Sequence, residues 1–144
     1  MVYFEDIGTI LDIKLEELES FLGSPEHSIA HSDDVRNFEV VETTGPTIVL
    51  TFERNIDGKW KKSRTRMTTF PPYCTWIEEI EGDFAGTKFV HTQRPEGAKT
   101  RIDVFGEAHC TGRSPEQTRT LFLEILAKAH EEDLATLRKI RERK

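Results

Sequence analysis

The sequence predicts an α+β fold: a seven-stranded antiparallel sheet curled around a long C-terminal helix, with two short helices between strands 1 and 2. Three observations point to it. Ser114-Pro115-Glu116-Gln117 combines an N-cap, a first-turn proline and a capping-box partner at the head of an apolar-periodic run that lasts to the end of the sequence. Between Val35 and Cys110, short segments rich in β-branched and aromatic residues alternate with turn residues. Ahead of them, helical spacing appears between an opening strand and Val35.

Val2–Ile13 is rich in aromatic and β-branched residues and reads as the first strand. Leu15, Leu18, Phe21 and Leu22 then recur at helical spacing until Gly23. Ser24-Pro25-Glu26-His27 opens a second short helix that ends near His31. Six strands follow. Val35–Glu42 ends at Thr44-Gly45-Pro46, Thr47–Arg54 at Asn55-Ile56-Asp57-Gly58, and Trp60–Phe70 at Pro71-Pro72. Cys74–Glu81 ends at Gly82-Asp83, Gly86–Arg94 at Pro95-Glu96-Gly97, and Lys99–Cys110 at Thr111-Gly112. Such short connections make neighbouring strands antiparallel. In the last helix nearly every side is apolar from Leu121 to Ala129. Leu123, Leu126, Ala127, His130, Leu134 and Leu137 project onto one stripe, with His130 near its middle.

A chain of 144 residues is expected to form a single domain, 1–144. A net charge of −6 and a pI near 5.4 argue against a nucleic-acid partner. No apolar run reaches the length of a membrane span, so integral membrane association is not expected. Met1–Asp6 lacks the basic and apolar regions of a signal peptide. Cys74 and Cys110 sit on separate segments with no C-x-x-C, which provides neither a metal motif nor a disulfide framework. A reduced, cytoplasmic setting is the simplest reading, and no cofactor or metal is expected.

Centring each hairpin turn assigns the faces of the sheet, because the side-chain period is two. Met67 and Thr69 then fall near Glu78 and Trp76, and these near Phe89 and His91. One face collects Phe38, Val40, Ile48, Leu50, Phe52, Thr65, Met67, Thr69, Trp76, Glu78, Ile80, Phe89, His91, Ile102, Val104 and Ala108. The other, with Glu53, Arg64, Arg66, Glu79, Lys88 and Asp103, is mostly a solvated face of mixed charge.

The order of elements, and three local stretches, resemble the START-like SRPBCC superfamily, the helix-grip fold. Phe21-Leu22-Gly23-Ser24-Pro25-Glu26-His27 is similar to its helix-to-helix segment. Trp60-Lys61-Lys62-Ser63-Arg64, followed by Phe70-Pro71-Pro72-Tyr73-Cys74-Thr75-Trp76-Ile77, is similar to its central hairpin. Pro95-Glu96-Gly97-Ala98-Lys99-Thr100-Arg101 is similar to its last hairpin turn. These motifs are structural, and none carries a catalytic residue. Thr43-Thr44-Gly45-Pro46 has a single glycine where the birch-allergen branch has a glycine-rich loop. The resemblance implies an elongated, mostly apolar cavity between sheet and helix. Relatives bind lipids, sterols, polyketides, quinones or hormones; some catalyse cyclisation or dehydration, and some partner chaperones.

On that frame the expected cavity residues are Phe38, Leu50, Phe52, Thr65, Met67, Trp76, Glu78, Phe89, His91, Val104, Leu123, Leu126 and His130. Glu78, His91 and His130 are the candidate catalytic groups, since a carboxylate beside an imidazole forms a usable acid–base pair. Glu78 and His91 lie diagonally across neighbouring strands, and His130 looks down from the helix. His27 and His31 stand at i and i+4, but without an H-E-x-x-H pattern they read as exposed or capping residues. The expected function is binding or transport of a hydrophobic small molecule. The alternatives are a polyketide cyclase- or dehydratase-like enzyme, or a co-chaperone-like interaction module with an apolar patch around Tyr73, Phe84 or Phe105. A homodimer is a candidate assembly, and that patch buried in a symmetric dimer would favour the module over the carrier.

Overall fold

A computed structural model describes residues 1–22, 31, 33–70 and 74–143. The elements are β1 (Val2–Leu11), α1 (Leu15–Leu22), β2 (Val35–Thr44), β3 (Thr47–Ile56), β4 (Lys59–Phe70), β5 (Cys74–Glu81), β6 (Lys88–Glu96), β7 (Lys99–Ala108) and α2 (Pro115–Glu142). They form one antiparallel sheet in the order β1-β7-β6-β5-β4-β3-β2. The helix-grip α+β architecture expected from the sequence is therefore present, with one short helix described between β1 and β2. The second expected short helix, Ser24 to His31, lies outside the described residues except for His31 itself.

α2 starts where its sequence signature places it. The Gln117 amide donates to Ser114 Oγ at 3.1 Å, and the Ser114 amide donates back to the Gln117 side chain at 2.9 Å. This reciprocal box satisfies donors that a helix N-terminus otherwise leaves free, and Pro115 sits where no donor is needed. The helix runs 28 residues. Its buried face is Thr118, Phe122, Leu126, Asp133 and Leu137, rotated from the expected stripe. Ala127 is exposed, and Leu123 and Leu134 are half-buried at its shoulder.

An aromatic cluster anchors α2 to the sheet. The Phe122 ring lies 5.2 Å from Phe4 of β1, 5.0 Å from Phe84 of the β5–β6 connection and 6.4 Å from Phe89 of β6. Phe4 and Phe89 meet edge to face at 5.8 Å. Ile102, Val104, Ala108 and Cys110 complete this core with Leu18 and Phe21 of α1. Gly106 of β7 lets the strands close here: a β-carbon at this position would sit 2.2 Å from the Lys88 carbonyl oxygen and 2.6 Å from Phe89 Cα. No side chain fits that gap, so the glycine permits close backbone approach beside the cluster.

The register corrects the face expected for β5. Three residues, 71–73, separate the Phe70–Cys74 pair, and Met67 faces Ile77 while Thr68 faces Trp76. The next hairpin pairs Ile77 with Phe89 and Glu78 with Lys88. Both hairpins pair one residue away from the centred register, and the two offsets cancel. β6 thus keeps its expected face, and β5 alone is inverted. Ile77 and Glu79 point inward; Trp76 and Glu78 point outward.

Replacing Phe122 with alanine removes three ring contacts at once. The expected loss is about 3–5 kcal/mol of unfolding free energy, read from the urea midpoint at constant slope.

Candidate functional site

α2 packs on β1 and β7, at the end of the sheet farthest from β2. The inner face therefore divides into two halves. Under the helix lies the packed aromatic core, where the expected lining residues Phe89, Val104 and Leu126 are found. Val104 is fully buried, so it supports the core. Toward β2 the inner wall stays apolar and only partly covered. Phe38 and Val40 are 46% and 58% exposed, and Ile48, Leu50 and Met67 are half-buried. The Phe38 ring stacks 5.4 Å from that of buried Phe52, with Thr65 buried next to them on β4. Leu123 lies outside the core cluster among the described residues.

Two bulges in β2 hold this wall in place. Val35 faces Arg54 and Val40 faces Leu50, although their numbers differ in parity. A register shift between Arg36 and Glu39, with Asn37 at φ 59°, restores the inward phase. A second shift follows Val40.

Polar groups gather at the seam between the two halves. The His91 and His130 rings meet edge to face at 6.1 Å. His91 Nδ1 lies 3.0 Å from Gln93 Oε1, and His130 Nδ1 lies 3.9 Å from an Asp6 carboxylate oxygen. Burial lowers the pKa of both imidazoles and so favours their neutral form. Glu79 accepts a hydrogen bond from Thr65 Oγ1 at 2.7 Å, and burial raises its pKa. Glu78, the expected cavity carboxylate, instead accepts from Arg66 at 2.9 Å on the outer face. That arginine lowers its pKa. Trp76 also lies on the outer face, beside Val90 and Thr68. Phe84, expected in an exposed patch, is 3% exposed and belongs to the core. Phe105 is exposed, and Tyr73 and His27 lie outside the described residues.

His31 is not the exposed or capping residue expected. Its Nε2 lies 2.8 Å from Asp133 and its Nδ1 3.2 Å from Glu132, both on α2. Carboxylates at both ring nitrogens favour the doubly protonated imidazolium. Asp133 raises the His31 pKa against the opposing effect of burial, and Glu132 adds to the rise. Lys128 of α2 reaches Asp34 at 2.6 Å. Together these contacts tie the stretch preceding β2 to the helix. Only the alternation of Phe52, Arg54 and Ile56 could have brought Arg54 into the interior from sequence; nothing local marks His31.

Two surface hollows lie off this wall. One of about 430 Å³ is lined by Cys74, Thr92, Gln93, Arg94, Pro95 and Asp103. The other, about 400 Å³, includes Lys61 and Arg113, which pair with Asp83 and Asp57 at 2.6 Å each. Among the described residues no group of three or more His, Cys, Asp or Glu is placed to hold a metal ion. Among the described residues no helix is long and apolar enough to cross a membrane.

The histidines oppose one another in pH dependence. The raised His31 pKa gives stability that is complete below the unfolded value and fades as pH rises through the folded one. The lowered values at His91 and His130 give stability present above the unfolded pKa and lost as pH falls through the folded ones. His31→Gln should therefore cost about 1.5–3 kcal/mol near pH 5.5 and much less near pH 8.5, whereas His91→Gln should flatten the acid limb. Thermal melts across that range of about three pH units check both signs.

Neither a family model nor a curated protein sequence matches the chain. Solved structures do. A START superfamily protein from Mycobacterium smegmatis shares 14% identity and a TM-score of 0.75, over 96% of this chain and 98% of that one. Ara h 8.0201 shares 14% identity at TM-score 0.74, over 95% and 97%. The Zhui aromatase/cyclase from a Streptomyces species shares 11% identity at TM-score 0.68, over 98% and 93%. At these identities the likeness is one of fold: a curled antiparallel sheet gripping a long C-terminal helix, as in these structures.

Proposed function

We propose that this protein binds a hydrophobic small molecule of lipid, polyketide or quinone type between the sheet and α2. The observation that carries this reading is the partly covered apolar inner wall of β2–β4. Phe38, Val40, Leu50 and Met67 are apolar and inward-facing, yet α2 packs at the opposite end of the sheet. Leaving such a surface wet is unfavourable, and an apolar ligand would cover it. A few polar groups at one side of a greasy wall also fit the usual make-up of a ligand site. The similar structures include one named as a START superfamily protein and one named as an aromatase/cyclase, which agrees with such a use of the fold.

Titration with N-phenylnaphthylamine, a neutral apolar fluorophore, tests it. Saturable enhancement is expected. Leu50→Glu should weaken it about tenfold or more, with the melting temperature little changed because Leu50 lies off the packed core. Linear, non-saturating fluorescence would remove the reading.

A second reading is favoured by the His91–His130 pair alone. Two largely enclosed imidazoles biased toward the neutral form can shuttle a proton in a cyclisation or dehydration. Glu78 takes no part, being held by Arg66 outside. In assays with a cyclisable poly-β-ketone thioester, His91→Gln and His130→Gln should each lower turnover about a hundredfold. Unchanged turnover in both would exclude it.

A further inference from the structure

We infer that Arg54 is an anion-binding group in this interior, and that the ligand is an apolar molecule carrying a single carboxylate. The inference rests on the ligand-binding reading above and names the chemical class.

Arg54 follows Phe52 and precedes Ile56 on β3, and both neighbours are buried on the inner face. Strand alternation carries its side chain to that face. Its guanidinium carbon lies 5.5 Å from the centre of the Phe52 ring, so the side chain folds back over the aromatic wall. Burial works against its charge. The two carboxylates that attract it are already engaged. Asp34 holds Lys128 at 2.6 Å, and Glu79 takes the Thr65 hydroxyl at 2.7 Å. Among the described residues none gives Arg54 a hydrogen bond or an ion pair.

A guanidinium offers five donors in a fork that matches a carboxylate, and it stays protonated in a protein. Arg54 is half-buried, so its guanidinium is partly shielded from water yet keeps donors that no described protein group fills. A carboxylate entering from the ligand supplies the missing acceptors, while Phe52, Leu50 and Phe38 receive the apolar body. Glu79 and Asp34 stand close enough to act on Arg54, so they would repel a second negative charge. That favours a monoanion over a phosphate dianion. The same feature explains why Arg54 is tolerated in the free protein: nearby carboxylates offset its charge at a distance without filling its donors.

Displacement of bound N-phenylnaphthylamine by naphthoate, its carboxamide and naphthyl phosphate is the test. Naphthoate should compete at least about tenfold better than either analogue. Arg54→Met should reduce naphthoate to the level of the carboxamide while leaving the carboxamide and the fluorophore within about twofold. The variant should fold with a melting temperature close to that of the wild type, since half-buried Arg54 makes no ion pair with a described residue that could be lost. Naphthoate should raise the melting temperature of the wild type more than the carboxamide does, and that difference should vanish in Arg54→Met. Equal competition by acid and amide, or a preference that survives in Arg54→Met, would overturn the assignment and leave the apolar site standing. A stronger hold on naphthyl phosphate would overturn the monoanion class. If the fluorophore itself fails to saturate, both the site and this inference fall together.

Discussion

The Phe4–Phe84–Phe89–Phe122 cluster is the interaction on which the rest depends. It joins β1, the β5–β6 connection, β6 and α2 in one set of ring contacts. Aromatic side chains contribute large buried area together with a preference for edge-to-face geometry. Because the cluster lies at the β1–β7–β6 end, it fixes where α2 can lie. The helix is committed to one side of the sheet, and the inner wall of the other side is left to be covered by something else. Gly106 allows the strands to approach closely enough for the rings to meet.

Much of this was legible in the sequence, and the reasons are physical. The α2 start was readable because a capping box depends on residues three apart. α1 and β5 have the boundaries expected, since Gly23 and Gly82-Asp83 are strong stops. The faces of β3, β4, β6 and β7 followed from period two. Glu78 and Trp76 failed because a face inherits every error in the turns that precede it, and the connection through 71–73 is one residue off centre. The α2 stripe failed for a different reason. From Leu121 to Ala129 nearly all positions are apolar, so composition cannot say which side faces in; the position of Phe4 and Phe84 decides it, and both belong to distant segments.

The polar groups show the same divide. His91 and His130 are noticeable in the sequence because each lies on an apolar face, where an imidazole stands out. His31 was missed because its partners, Glu132 and Asp133, are a hundred residues away and look like ordinary helix-surface carboxylates. Arg54 was missed because it ends an expected strand, where charged residues usually face water. The strand continues to Ile56, and that extension by two residues turns Arg54 toward the inner face, half-buried.

β2 closes the order of the sheet opposite β1, with one side unpaired among the described residues. A straight edge of this kind is a template for another chain's backbone. The two register shifts and the left-handed Asn37 break its ladder into short, differently aimed pieces, and Arg36, Glu39 and Glu42 put charge along it. The same kinks that aim Val35 and Val40 inward thus spoil the border for strand-on-strand polymerisation. A greasy wall can stay open to a guest without the molecule zipping onto its own copies.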